Sequence, residues 1–277
     1  MPGRLEGKVA LITGAARGQG RSHAIRLAEE GADIIAIDIA GQLETVPYPM
    51  STPGDLEHTV KVLESMDRRV VASQVDVRDG EALTAAVNEG VAELGRLDIA
   101  VANAGILSIG ASFQLTEAQW SEMIDVNLGG VWRTTKAAIP HLMAAGAGSS
   151  LVLISSLAGL RGQPGIGHYV AAKHGVVGLM KTIALELGPM GIRVNAILPS
   201  QVDTEMIMNE PTYRVFLPDH PAPSREDFAV PSAAMHVLPI PWIEAIDVSN
   251  ALLFLVSDEG RYIHGVALPV DGGAGIK

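Results

Sequence analysis

Short apolar runs rich in β-branched residues alternate with longer helical patterns along almost all of this 277-residue chain. Val9–Thr13, Asp33–Asp38, Val70–Val75, Asp98–Ala102, Ser150–Ser155, Ile192–Ile197 and Val266–Val270 read as strands. Gly80–Leu94, Glu117–Ala145 and Tyr169–Leu187 read as helices, and another follows the first strand through about Glu30. Strands that are apolar on both faces and separated by helices demand a parallel sheet covered on each side. The expectation is an α/β chain with a doubly wound parallel sheet. The length allows one or two domains, but no repeat or linker divides residues 1–277, so one domain is expected.

Composition narrows the functional classes. The chain is 48% hydrophobic and 18% charged, which excludes disorder. Its formal net charge is −11 and no run of Lys or Arg occurs, so no nucleic-acid footprint is present. Cysteine is absent, which removes disulfides, thiolate catalysis and zinc–thiolate sites together. The eight histidines show no ligand spacing, so no metal is expected. No apolar run approaches the ~18–20 residues needed to span a bilayer, so no membrane partner is expected. The start Met1-Pro2-Gly3-Arg4 carries no signal-peptide cleavage site, and a soluble, cytoplasmic protein is anticipated.

Thr13-Gly14-Ala15-Ala16-Arg17-Gly18-Gln19-Gly20 lies between the first strand and its helix. Gly14 permits a sharp turn, Gly18 admits a ligand close to backbone, and Gly20 permits close helix–strand packing. The amides and dipole of the helix start then favour a pyrophosphate. This is the dinucleotide-binding pattern of a Rossmann fold. Asp38 ends the second strand, where a carboxylate accepts from ribose hydroxyls and repels a 2′-phosphate, which favours NAD over NADP. Arg17 pulls the other way, since a basic side chain there could reach such a phosphate. Asp76 and Val77 follow the third strand, where they could hold the adenine edge. Asn103, Ala104 and Gly105 end the fourth, placing small residues where a cofactor would cross.

Tyr169 and Lys173 stand one helical turn apart in Tyr169-Val170-Ala171-Ala172-Lys173. A cation beside a phenol lowers its pKa toward neutrality, as a general acid–base for an alcohol or ketone requires. Alone, such a pair is an ordinary helix-surface feature. Ser155 and Ser156 follow the fifth strand, placing a hydroxyl at the carboxyl edge of the sheet. Asn127, in the long helical stretch, could lend its amide to a water chain or brace backbone.

With these residues in order, the chain resembles the classical short-chain dehydrogenase/reductases over nearly its whole length. TGAARGQG (13–20), Asp76-Val77, NAG (103–105), Asn127, Ser155-Ser156, YVAAK (169–173), Asn195–Thr204 and Asp271-Gly272-Gly273 carry the resemblance. It implies Tyr169 as general acid–base, and Ser156 rather than Ser155 as the hydroxyl that holds the reacting oxygen. It implies Lys173 as the residue that lowers the tyrosine pKa and holds the nicotinamide ribose, with Asn127 anchoring a relay water. Gly14, Arg17, Gly18, Gln19 and Gly20 would cradle NAD, and Pro199, Val202 and Thr204 would contact its nicotinamide. Hydride transfer between a secondary alcohol and its ketone follows as the expected activity, in a homodimer or homotetramer paired through the helix after Tyr169 and the one before it.

The proline-bearing insert Ile39–His58 and the Arg21-Ser22-His23 continuation further resemble the carveol-dehydrogenase-like group associated with mycofactocin. That resemblance implies tightly held NAD, a flap over its adenosine half and mycofactocin as external electron acceptor. A second proline-rich stretch, Ser200–Trp242, is expected to close a substrate pocket lined by Met206, Met208 and Phe216, suited to an apolar cyclic or terpenoid alcohol. A 3-oxoacyl-acyl-carrier-protein reductase using NADPH and a non-catalytic NAD-binding sensor are the rival readings. The acidic balance and Asp38 weigh against the first, and the complete Asn127, Ser156, Tyr169, Lys173 set against the second.

Overall fold

The computed structural model describes residues 3–277. Its strands are Val9–Thr13 (β1), Asp33–Asp38 (β2), Val70–Gln74 (β3), Ile99–Ala102 (β4), Ser150–Ile154 (β5), Arg193–Pro199 (β6) and Ala267–Val270 (β7). They form one sheet in the order β3-β2-β1-β4-β5-β6-β7, and every pairing is parallel. The doubly wound sheet expected from the apolar runs is therefore present. The order reverses between β1 and β4, which opens a crevice beyond the carboxyl ends of these two strands.

Period-two alternation divides the strand residues between two apolar layers. Val9, Leu11, Ile35 and Ile37 face one layer with Val87 of Gly80–Leu94 (α3), Leu142 of Val131–Ala145 (α5) and Met180 of Gly167–Leu187 (α6). Ala10, Ile12, Ile34 and Ala36 face the other, with Leu27 of Gly18–Glu29 (α1), Leu63 of Pro53–Glu64 (α2) and Leu252 of Ala245–Val256 (α9). Every residue of β1, β4, β5 and β6 is buried, as expected for central strands of a sheet covered on both faces.

Three stretches differ from the simple pattern. The helix expected over Glu117–Ala145 is broken into Glu117–Ile124 (α4), a π-helical segment Asp125–Gly130, and α5. The insert after β2 is shorter than Ile39–His58, because a Thr52–Asp55 capping box and Pro53 start α2 there. Leu43, Val46 and Tyr48 of the insert are buried in the core. The stretch 200–242 holds two short helices, Glu210–Phe216 (α7) and Arg225–Ala233 (α8). They share an aromatic centre in which Phe228 lies 5.0 Å from Tyr213, 5.1 Å from Phe216 and 6.1 Å from Trp242, centroid to centroid. Among the described residues, no helix is long and apolar enough to cross a membrane. No group of three or more His, Asp or Glu among them is placed to hold a metal ion.

Candidate active site

Two clefts meet at the crevice. The first is lined by Gly14, Arg17, Gly18, Gln19, Gly20, Asp38, Asp76, Val77, Asn103, Ala104 and Gly105, which brings together all the residues assigned to the nucleotide half. Gly14 has φ +70°, and a Cβ there would lie 2.9 Å from Ala104 Cα. A Cβ on Gly20 would stand 1.9 Å from the Gly14 carbonyl oxygen, so the turn tolerates neither side chain. Thr13 Oγ1 accepts from the amides of Asn103 and Ala104 at 3.1 and 3.2 Å, and Asn103 Nδ2 donates to the Thr13 carbonyl at 2.9 Å. These bonds lock the ends of β1 and β4 together. No side chain caps the start of α1, so its leading amides are left for an anion.

Asp38 is 5% exposed. Its carboxylate accepts from the Ala16 amide at 2.9 Å, the Ala40 amide at 2.8 Å and Ser51 Oγ at 2.6 Å. Three donors fix the carboxylate at the cleft wall, and its remaining lone pair can accept a ribose hydroxyl. Arg17 Nη2 donates to the Pro49 carbonyl at 2.5 Å, which ties the guanidinium to the insert. Asp76 is already engaged by Arg78, with Nε at 2.8 Å and Nη2 at 2.6 Å from Oδ2. Ile39, Leu43, Tyr48, Met50 and Ser51 of the insert after β2 also line the cleft. Tyr48 Oη accepts from the Leu107 amide at 3.1 Å, which pins the insert to the segment after β4.

The Arg21-Ser22-His23 continuation serves packing instead. Arg21 joins α1 to α2 through Thr59 Oγ1 and the Asp55 carbonyl, both at 2.9 Å. His23 is fully buried against Ser249 Oγ of α9 at 2.8 Å, and burial holds its pKa down to about 3.

The second cleft is mainly apolar and contains Ser156, Tyr169, Pro199, Val202, Thr204, Met206 and Phe216. Met208, expected in this lining, is not among its residues, whereas Ile207 and Met235 are. Pro199 and Val202 border this cleft alone, whereas Thr204, Met206 and Gln19 line both, so the two clefts are continuous. Gln19 Oε1 is buried there without a hydrogen-bond partner. A buried amide oxygen lacking a donor is costly, and it sits where a bound molecule could supply one.

Ser156 and Tyr169 reach the cavity surface, with Lys173 and Asn127 behind them. Burial pushes the Tyr169 phenol pKa up to about 12, and the neighbouring Ser156 hydroxyl offsets only part of that rise. The depression expected from Lys173 is therefore not a property of these side chains alone. The ammonium is 5.5 Å from the ring centroid, donates to the Ile154 carbonyl at 2.9 Å, and is itself lowered by burial to about 8. Desolvation of both groups works against the charged pair. Ser155 Oγ donates to the Lys173 carbonyl at 2.9 Å, so that hydroxyl braces α6 and Ser156 is the one left for a ligand. Asn127, in the π-helical segment, accepts from the Ile106 amide at 3.0 Å and donates to the Ile106 carbonyl at 2.9 Å. A Cβ on Gly105 would lie 2.7 Å from Asn127 Oδ1 and 3.8 Å from Lys173 Nζ, so glycine lets these two side chains converge.

The family model for short chain dehydrogenases matches residues 8–214. The chain belongs to this family. This short-chain dehydrogenase is 56% identical to the (-)-trans-carveol dehydrogenase of Rhodococcus erythropolis, over 99% of each chain. The crystal structure of carveol dehydrogenase from Mycobacterium avium in complex with NAD superposes with a TM-score of 0.98 at 58% identity, covering 99% of this chain and 100% of that one. A short chain dehydrogenase from Mycobacterium paratuberculosis bound to NAD gives a TM-score of 0.91 at 44% identity, over 99% and 100% of the two chains.

Proposed function

We propose that this short-chain dehydrogenase uses NAD to interconvert a secondary alcohol and its ketone, with Tyr169 as general acid–base. The observation that carries the reading is the meeting of the clefts, with Ser156 and Tyr169 facing the apolar side and the glycine turn facing the other. The nucleotide side fits NAD on its own evidence: the Gly14–Gly20 cradle that no Cβ could share, the fixed Asp38 carboxylate, and the partnerless Gln19 oxygen. When bound, NAD supplies the hydride acceptor, and its cationic nicotinamide adds the positive charge that favours the Tyr169 phenolate.

The side chains then divide the work. Ser156 donates to the substrate oxygen and holds it beside the phenol, as oriented donors of this kind do at a cost of a few kcal/mol when removed. The Tyr169 phenolate takes the hydroxyl proton during oxidation and returns it during reduction. Lys173 keeps a cation behind the phenol, and Asn127, through Ile106, fixes the backbone beside Gly105. The apolar lining of Met206, Phe216 and Leu107 suits a cyclic or terpenoid alcohol, and the named carveol dehydrogenases agree with that class. The insert 39–52 acts as a wall over the adenosine half, and 200–242 as the cover of the substrate side. A tightly retained NAD would be reoxidised in place by an external acceptor such as mycofactocin.

We also infer a cytoplasmic homodimer or homotetramer built on α6. Tyr169→Phe tests the assignment of the acid–base. The variant should bind NAD with wild-type affinity and lose turnover by 10³-fold or more, whereas near-normal turnover refutes the role.

A further inference from the structure

Among the described residues ten arginines form ion pairs with carboxylates; of the four others, Arg17 lines the nucleotide cleft and Arg161 the substrate cleft. Among the described residues, Arg161 is the one charged side chain that borders the substrate cleft, and no Asp or Glu borders it. Among the described residues its side chain makes one hydrogen bond, from Nη1 to the Ala274 carbonyl at 2.6 Å. Its other N–H donors have no protein acceptor among the described residues, in a molecule whose formal net charge is −11. Gln163 borders the same cavity, and its side chain makes no hydrogen bond among the described residues. Arg161 follows Ser156 by five residues, across the 3-10 turn Leu157–Gly159, so the cation and the oxygen-holding serine belong to one wall.

A neutral hydrocarbon alcohol leaves that guanidinium without a counter-charge at the border of a mainly apolar cavity, whereas a carboxylate would take two parallel N–H donors from it. We infer that Arg161 is a specificity-determining residue and that the favoured substrates are alicyclic hydroxy acids: a secondary alcohol at Tyr169 and a carboxylate at the opposite end of an apolar ring. The inference rests on the dehydrogenase reading of this site and names the far end of its substrate.

The test compares 3- and 4-hydroxycyclohexanecarboxylates with their methyl esters, which keep the ring and the alcohol but carry no charge. For wild-type protein supplied with NAD and an artificial electron acceptor, kcat/KM should favour an acid over its ester by tenfold or more. Arg161→Met should reduce that ratio to near unity, and Arg161→Lys should restore part of it. Calorimetric binding of the matching oxo acid and oxo ester to the NAD-loaded protein should show the same ratio, without requiring turnover. Equal handling of acid and ester by the wild type overturns the inference. So does an Arg161→Met variant that weakens both alike, because that marks a clamp on the C-terminal turn and no more. If no alcohol is oxidised, the dehydrogenase reading fails, and the binding ratio still decides the role of Arg161.

Discussion

Lys173 shows what the site costs at the level of one side chain. It is 3% exposed, its ammonium donates to the Ile154 carbonyl, and burial lowers its pKa from 10.5 to about 8. A depression of that size corresponds to a penalty on the order of 3 kcal/mol for keeping the ammonium charged in the fold. The sign follows from linkage. Below about pH 8 both folded and unfolded chains are protonated and the full penalty applies. Between about 8 and 10.5 only the unfolded chain holds the proton, so the penalty fades as pH rises. Lys173→Met should therefore raise the melting temperature of the nucleotide-free protein at pH 7, with the gain shrinking from pH 8 to 10.5, while turnover is lost. A thermal melt series across that range checks it. Asp38 is held in place by three donors before any ligand arrives. Asp38→Asn should weaken NAD binding by tenfold or more and narrow the preference over NADP, measured by nucleotide titration of both forms.

The elements that carry these residues were unequally legible in the sequence. The strands announced themselves through β-branched runs, and the glycine turn through its place between a strand and a helix. The π-helical break did not. One long amphipathic pattern spans Glu117–Ala145, and the extra residue in the turn at Asn127 changes neither composition nor spacing enough to show. The insert was visible as an interruption, but its role depends on a tertiary contact that no local pattern reveals. Tyr48 is 5% exposed and accepts the Leu107 amide, joining the insert to the segment that follows β4. Tyr48→Phe leaves that amide without an acceptor, which should cost about 1–3 kcal/mol. The melting temperature should fall and the NAD dissociation rate rise, both readable on purified protein. Unchanged nucleotide release would mean that the insert is only scaffold. Arg161 was missed altogether, since an isolated arginine after a serine turn belongs to no motif.

At the scale of the whole molecule, the sheet reversal between β1 and β4 sets where the clefts can lie, and the long β6–α9 connection covers one of them. The same scale governs assembly. Along α6, Ala172 and Gly175 pack inward, the latter so closely that a Cβ would meet Leu128 at 2.9 Å. Gly178 has nothing within 4 Å of a Cβ and Leu185 is 81% exposed, so the outer face of this helix is open to a second copy. Gly178→Glu should shift the mass in light scattering toward the monomer, and an unchanged oligomer would exclude this face as the interface. The chemistry itself is tested by isotope transfer. A secondary alcohol deuterated at its carbinol carbon is incubated with the protein and NAD, and the reduced nucleotide is weighed by mass spectrometry. One deuterium in NADH, absent with Tyr169→Phe, is the predicted result; unlabelled NADH, or no NADH from any secondary alcohol, contradicts hydride transfer at this site.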